Sequence, residues 1–250
     1  MAQTTNAKQI IEGVRQAFRS EARLGPRFDL KRIALAEDGA LILEGIVTRL
    51  KKKSLPCCGL RPFPECRELS IASHVTPVVP SGDKQIRAQV REMFGKDPDF
   101  AGLQWREDIA GSAGQPDYRR VAAPGENAIG GIDVAIKDGV VILNGMVPTL
   151  ARERVAGAMC WWVPGVHDVI NGISVDPPEE DGPDQIEEGV RAMLERNPAI
   201  DVAQVRIGVR DTVGPLTGLV HSEAMREMAE NDAWAVFGVD DVANKITVRL

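Results

Sequence analysis

Cys57, Cys58, Cys66 and His74 stand close together in the first third of the chain. Thiolate and imidazole are the usual ligands of a structural zinc ion, so this is the first chemistry to weigh. The spacing argues against it, because ligand knuckles place two residues between paired cysteines and adjacent cysteines rarely reach one ion. No metal or other cofactor is expected, and the fourth cysteine, Cys160, reads as a buried thiol. His74, His167 and His221 have no acid or nucleophile at an interpretable spacing, and His167 and His221 read as exposed polar residues. The sequence has no serine elbow, phosphate loop or two-histidine metal motif, and Gly130–Gly131 makes no dinucleotide fingerprint. The expectation is a protein that is not an enzyme. The cluster Tyr118, Arg119 and Arg120 is suited to gripping a partner rather than to catalysis.

Charge narrows the partner. The chain has 250 residues and a net charge of −6. Residues 1–82 are basic at +5, residues 83–175 sit at −2, and residues 176–250 reach −9. An acidic C-terminal third is a poor match for nucleic acid, which is bound by clustered Lys and Arg. The basic first third instead suits an anionic surface, or the acidic end of a second copy of the chain. Apolar residues make up 44%, aromatics only 4%, so an aliphatic core is expected. No apolar run approaches a membrane span. The first residues lack a basic start followed by an apolar segment, so the expected location is cytoplasmic, or periplasmic if a leader has been removed.

The elements that would position these residues emerge on comparing the chain with itself. "DGALILEGIV" (38–47), "DGVVILNGMV" (138–147) and "DTVGPLTGLV" (211–220) share an aspartate, a leucine and a glycine at fixed offsets. Residues 132–175 lie without a gap on 205–248, with 16 of 44 positions identical. At an offset of 100 residues, Ile86, Val90, Arg91, Met93 and Pro98 fall on Ile186, Val190, Arg191, Met193 and Pro198. Ile10, Val14 and Phe18 repeat the same helical spacing near the N-terminus.

Each unit acquires a shape from this chemistry. Asp-Gly between apolar runs predicts a two-residue hairpin turn. Gly45, Gly145 and Gly218 interrupt the second strand, where a glycine marks a bulge or a close backbone approach. Helical patterns at 149–162 and 222–235 stop at Gly165 and Gly238, which suit a left-handed C-cap. Val169, Asn171, Ile173 and Val175 then share one face of a strand. The order helix, strand, strand, helix, strand predicts an α/β (α+β) fold: a small mixed sheet with both helices on one face. Trp161 and Trp234 occupy one repeat position, which favours a packing role. Trp162 is answered by Ala235 and is the candidate for a contact with a partner.

The pattern resembles the BON domain, a bacterial module named for osmotic-shock and nodulation proteins. The residues that carry the resemblance are "DGVVILNGMV" with Gly145, "VPGVHDVINGISV" with Gly165, Val166 and Asn171, and the related "FGVDDVANKITV". The resemblance implies three tandem copies: a degenerate one at 1–78, a second at 83–175 with a loop insertion at 106–131, and a third at 184–250. Pro-rich or acidic linkers, "TPVVPSGD" and "DPPEEDGPD", separate them. The insertion reads as a mobile loop. The family implies non-enzymatic binding in osmotic or envelope stress, at an anionic phospholipid surface or in a protein assembly, and allows self-association. A small-ligand or ion sensor with its site between units is the alternative, because some members bind ions through backbone groups.

One stretch conflicts with the repeat. Residues 51–66 should begin the second helix of the first unit, yet Pro56, Pro62 and Pro64 fall there. Leu69 and Val75 nevertheless occupy the positions of Val169 and Val175. Another reading frame of plausible GC-rich codons for this stretch encodes an amphipathic helix ending in Val-Pro-Gly-Val. A local frameshift between Lys51 and Cys66 is therefore expected, which would make the three cysteines accidental.

Overall fold

The computed structural model describes residues 11–16, 29–35, 41–47, 69–75, 81–100, 102–109, 117–122, 130–209 and 213–249. Residues 51–66, the frameshift proposed there, and the cysteines at 57, 58 and 66 lie outside the described residues. The chain divides into two units, Met1–Thr76 and Pro77–Leu250.

The first unit contains a helical segment at 11–16, with Val14 fully buried. Its strands β1 (Asp29–Leu35), β2 (Leu41–Val47) and β3 (Leu69–Val75) form a sheet in the order β1-β2-β3. β1 runs antiparallel to β2, and β3 runs parallel to it. Gly45 stands opposite Leu30, next to an irregularity in the ladder between Leu30 and Arg32.

The second unit holds two repeats. In the first of these, α1 (Asp83–Lys96) turns Ile86, Val90 and Phe94 inward at four-residue spacing. Strands β4 (Gln104–Asp108), β5 (Tyr118–Ala122), β6 (Gly131–Lys137) and β7 (Val140–Val147), helix α2 (Leu150–Cys160) and β8 (Asp168–Val175) follow. They build a five-stranded sheet in the order β5-β4-β6-β7-β8. The β6–β7 turn is the one Asp-Gly requires: Asp138 and Gly139 both take positive φ, 50° and 76°. Their amides donate to the carboxylate of Asp83 at 2.9 and 2.8 Å, which ties the hairpin to the start of α1.

The next repeat has α3 (Pro183–Glu195), a 3₁₀ turn (Val202–Gln204), β9 (Val205–Ile207), β10 (Val213–Val220), α4 (Glu223–Ala235) and β11 (Asp241–Val248). Its sheet has the order β11-β10-β9, with β10 antiparallel to β9 and parallel to β11. β7 has the same relation to β6 and β8. The α/β fold of helices on small mixed sheets is the one the sequence predicts. Equivalent hydroxyls start the second helices: Thr149 Oγ1 accepts from Arg152 N, and Ser222 Oγ accepts from Met225 N, both at 3.2 Å.

The glycine in the second strand has a geometric cause. Gly145 takes φ +120°, and a Cβ there would lie 2.2 Å from Gly131 O. Gly218 takes φ +136°, and its Cβ would lie 2.0 Å from Gln204 O. Both the left-handed backbone and the close approach exclude any other residue without rearrangement. Gly165 and Gly238 are not the helix C-caps, which are Trp161 and Val236, both at negative φ; the glycines lie further along the chain, at φ +95° and +92°.

Two expectations change. The segment 106–131 is not simply a loop: Arg106–Asp108 complete β4, 118–122 form β5, and Gly131 opens β6. Cross-strand pairing with β4 organises a short stretch whose own sequence lacks apolar alternation. The core is not purely aliphatic either. Phe94 meets Phe100 edge-on at 4.9 Å and Trp105 at 4.7 Å, so three aromatics form a cluster between α1 and β4. No helix among the described residues is long and apolar enough to cross a membrane.

Candidate functional site

Within Pro77–Leu250 the two repeats meet through helices, with α2 packed against α3 and α4. Nearly every residue of α2 from Arg154 to Cys160 is buried, because the helix has the sheet on one side and the neighbouring repeat on the other. Burial pushes the Cys160 thiol pKa up, so it stays protonated and inert.

Charged groups at this junction are partnered, and Arg154, Asp97 and Asp232 among them are buried. Arg154 is 1% exposed; its Nε donates to Phe237 O at 3.0 Å and its Nη2 to Asp181. Asp232 is 4% exposed and accepts from Trp162 Nε1 at 2.8 Å and Asn197 Nδ2 at 2.6 Å. Burial raises its pKa, and the two hydrogen bonds oppose that rise. Arg196, after α3, grips Asp97, after α1, at 2.7 Å, and also bonds Asp99. Arg152 stands 3.5 Å from Asp99. Asp97 and Asn197 occupy the same place at the 100-residue offset and make the same local turn, accepting from Asp99 N at 2.9 Å and Ala199 N at 3.0 Å.

A second device recurs in each repeat. Asn171 donates to Glu153 O at 2.8 Å and accepts from Ile173 N at 3.3 Å, clamping β8 to α2. Asn244 does the same in the next repeat, donating to Arg226 O at 3.1 Å and accepting from Ile246 N at 3.2 Å. Glu153, which also accepts from Asn171, has its pKa pushed up to about 7 by burial, despite the opposing influence of Arg154.

The residues singled out in the sequence fall in different places. Trp162, two residues beyond α2, donates its indole N–H to Asp232 on α4 and remains 38% exposed. Trp234 is buried, as a packing role requires. His167 is half-buried rather than exposed, whereas His221 is exposed. Tyr118, Arg119 and Arg120 lie together on β5 at the margin of the five-stranded sheet. Tyr118 lies under the Arg106 guanidinium, 5.7 Å from its ring centroid, and Arg106 is paired with Asp133. Glu107, 1% exposed, is held by Arg91 from α1 at 2.7 Å. Arg119 and Arg120 are exposed, and among the described residues neither has a carboxylate partner. Sequence reasoning missed Arg154, Asp232 and the Asp97–Arg196 pair; the shared turn after the first helices was the one available signal.

The helix-free faces complete the picture. Met146 on β7 and Leu219 on β10 hold the same repeat position and are 38% and 43% exposed. Ile170 on the neighbouring β8 is 54% exposed. The geometry offers surfaces for contact and polar groups that lock the repeats together.

A comparison with known protein families finds one that matches. The model of the BON domain matches residues 119–177 and 183–249, slightly more than half of the chain. No curated protein matches. Among solved structures, the C-terminal domain of CdsD, described as the structural protein of the type III secretion system of Chlamydia trachomatis, is 13% identical, with a TM-score of 0.24. That comparison covers 96% of this chain and 98% of the other. A further structure of CdsD from the same organism is 12% identical, with a TM-score of 0.24, covering 96% and 92%. The segment 183–249 spans the C-terminal repeat, the segment 119–177 covers the preceding one from β5 to β8 without α1 and β4, and the chain belongs to the BON-domain family.

Proposed function

We propose that this chain is a non-enzymatic adaptor whose locked BON repeats present their helix-free sheet faces to a protein assembly. The observation that carries this reading is the exposed apolar residue at one position of both matched repeats, Met146 and Leu219, beside Ile170. Large apolar side chains on a bare sheet face lose contact with water when a partner covers them. The buried charged groups support the same reading: Arg154, Glu107, Asp97 and Asp232 are each engaged in holding elements together. The −9 charge of residues 176–250 favours a protein over an anionic lipid surface for this unit. At the junction, where the sensor reading puts an ion, the Arg154 guanidinium already supplies a cation. The first unit is read as a degenerate third copy, because β1, β2 and β3 repeat the antiparallel and parallel pairing of the matched repeats.

The double substitution Met146→Asp and Leu219→Asp tests the reading. In gel filtration of a native cell extract, the wild-type chain should elute with a larger assembly and the variant as free chain. Unchanged elution contradicts the proposal. So does salt-sensitive binding of the wild type to phosphatidylglycerol vesicles, lost in the variant.

A further inference from the structure

We infer that β5 is a docking edge for an extended acidic segment of the partner protein, which adds to the five-stranded sheet as a sixth strand beside Tyr118–Ala122. This inference rests on the adaptor reading and names the chemistry of its partner.

β5 is an outer strand of its sheet. Its ladder with β4 sets Asp108 opposite Tyr118, Glu107 opposite Arg119 and Arg106 opposite Arg120. Ile109 N donates to Asp117 O at 2.9 Å. Hydrogen-bonded and non-bonded pairs alternate in an antiparallel ladder, so the backbone groups of Tyr118 and Arg120 point away from β4. These are the donors and acceptors that an added strand needs.

Charge chooses the occupant. Arg119 lies on the face that carries Glu107, and Arg120 on the face that carries Arg106. Arg91 already neutralises Glu107, and Asp133 already neutralises Arg106. That leaves two exposed guanidinium groups, one on each face of the edge, with no carboxylate among the described residues. Successive residues of a strand also point to opposite faces, so two consecutive acidic residues meet both arginines at once. A second copy of β5 would set arginine against arginine, and like charges across a ladder repel. Val121, 38% exposed, gives the incoming strand apolar contact beside the charges. Among the described residues the next repeat has no counterpart of β5: its sheet ends at the three-residue β9.

Fluorescence anisotropy on the full chain tests this with labelled peptides of alternating Thr and Val around a central Glu-Glu, Ala-Ala or Lys-Lys pair. The Glu-Glu peptide should bind tightest, and R119E/R120E should weaken it by about tenfold while reversing the preference towards Lys-Lys. Hydrogen exchange at the Tyr118 and Arg120 amides should slow when the Glu-Glu peptide is added. Equal affinity for the three peptides overturns the inference, as does a Glu-Glu affinity that the double substitution leaves unchanged. If R119E/R120E still elutes with the larger assembly of the wild type, the edge is not the docking site, although the adaptor reading survives. Loss of binding to anionic vesicles without any loss of peptide affinity also overturns it, in favour of a lipid surface.

Discussion

In the C-terminal repeat, β9 is three residues long and no strand among the described residues lies beyond it, while in the preceding repeat the equivalent β6 is flanked by β4 and then β5. The paired arginines of the first helices follow the same division. Arg191 reaches Glu187 on its own helix, but Arg91 reaches across to Glu107, a carboxylate on a strand that has no counterpart among the described residues of the C-terminal repeat. What the two repeats share is therefore backbone geometry: the Gly145 and Gly218 crossings, the Thr149 and Ser222 caps, and the Asn171 and Asn244 clamps. What differs is edge, charge and partner. The C-terminal repeat builds its sheet from three strands, so β4 and β5 are additions to a frame that does not need them.

The largest effect should come from a shared feature. Gly145→Val and Gly218→Val each force a left-handed backbone and a backbone clash, and each should destabilise by about 3 kcal/mol or more. Matching losses in thermal melting would confirm that both crossings carry the same constraint. A small loss in one repeat alone would break the equivalence. The arginines should behave oppositely. Arg91→Ala leaves Glu107 buried without its partner and should cost about 2–3 kcal/mol, while Arg191→Ala should stay within about 0.5 kcal/mol. Equal costs in denaturant titrations would remove the distinction between a structural and a surface pair.

Asp232→Ala probes the junction between the repeats rather than either one. It leaves the Trp162 and Asn197 donors unmatched, and should cost about 1–2 kcal/mol and red-shift Trp fluorescence as Trp162 loosens. A smaller, pH-dependent effect belongs to Glu153. Its folded pKa is raised from 4.5 to about 7, so its contribution is fully present below pH 4.5 and is lost as pH rises through 7. Glu153→Gln should flatten that slope, and melting curves across the interval will show it. A wild-type stability that rises over the same interval because of Glu153 has the wrong sign for this account.

Some of this was legible in the sequence because it is local or repeated. The Asp138–Gly139 turn, the glycine crossings and the second helices follow from short-range chemistry seen twice, and the repeats identify one another. β5 was not legible: "YRRVA" has adjacent arginines, no repeat counterpart and no apolar alternation, so only its pairing with β4 makes it a strand. The lock between repeats was hidden for another reason. Arg154 finds Phe237, and Arg196 finds Asp97, across 83 and 99 residues, and nothing in the spacing of the residues announces such contacts. Trp162, which Ala235 answers in the other repeat, bonds Asp232 across 70 residues, a contact that spacing does not announce either.

The claim that the bare sheet faces dock a protein can be tested directly by placing a photo-crosslinking amino acid at Met146, at Leu219, and at Glu188 on the exposed surface of α3. Irradiation in intact cells should give discrete protein adducts from positions 146 and 219 and none from 188. Adducts from 188 alone, or lipid adducts at 146 and 219, would contradict it.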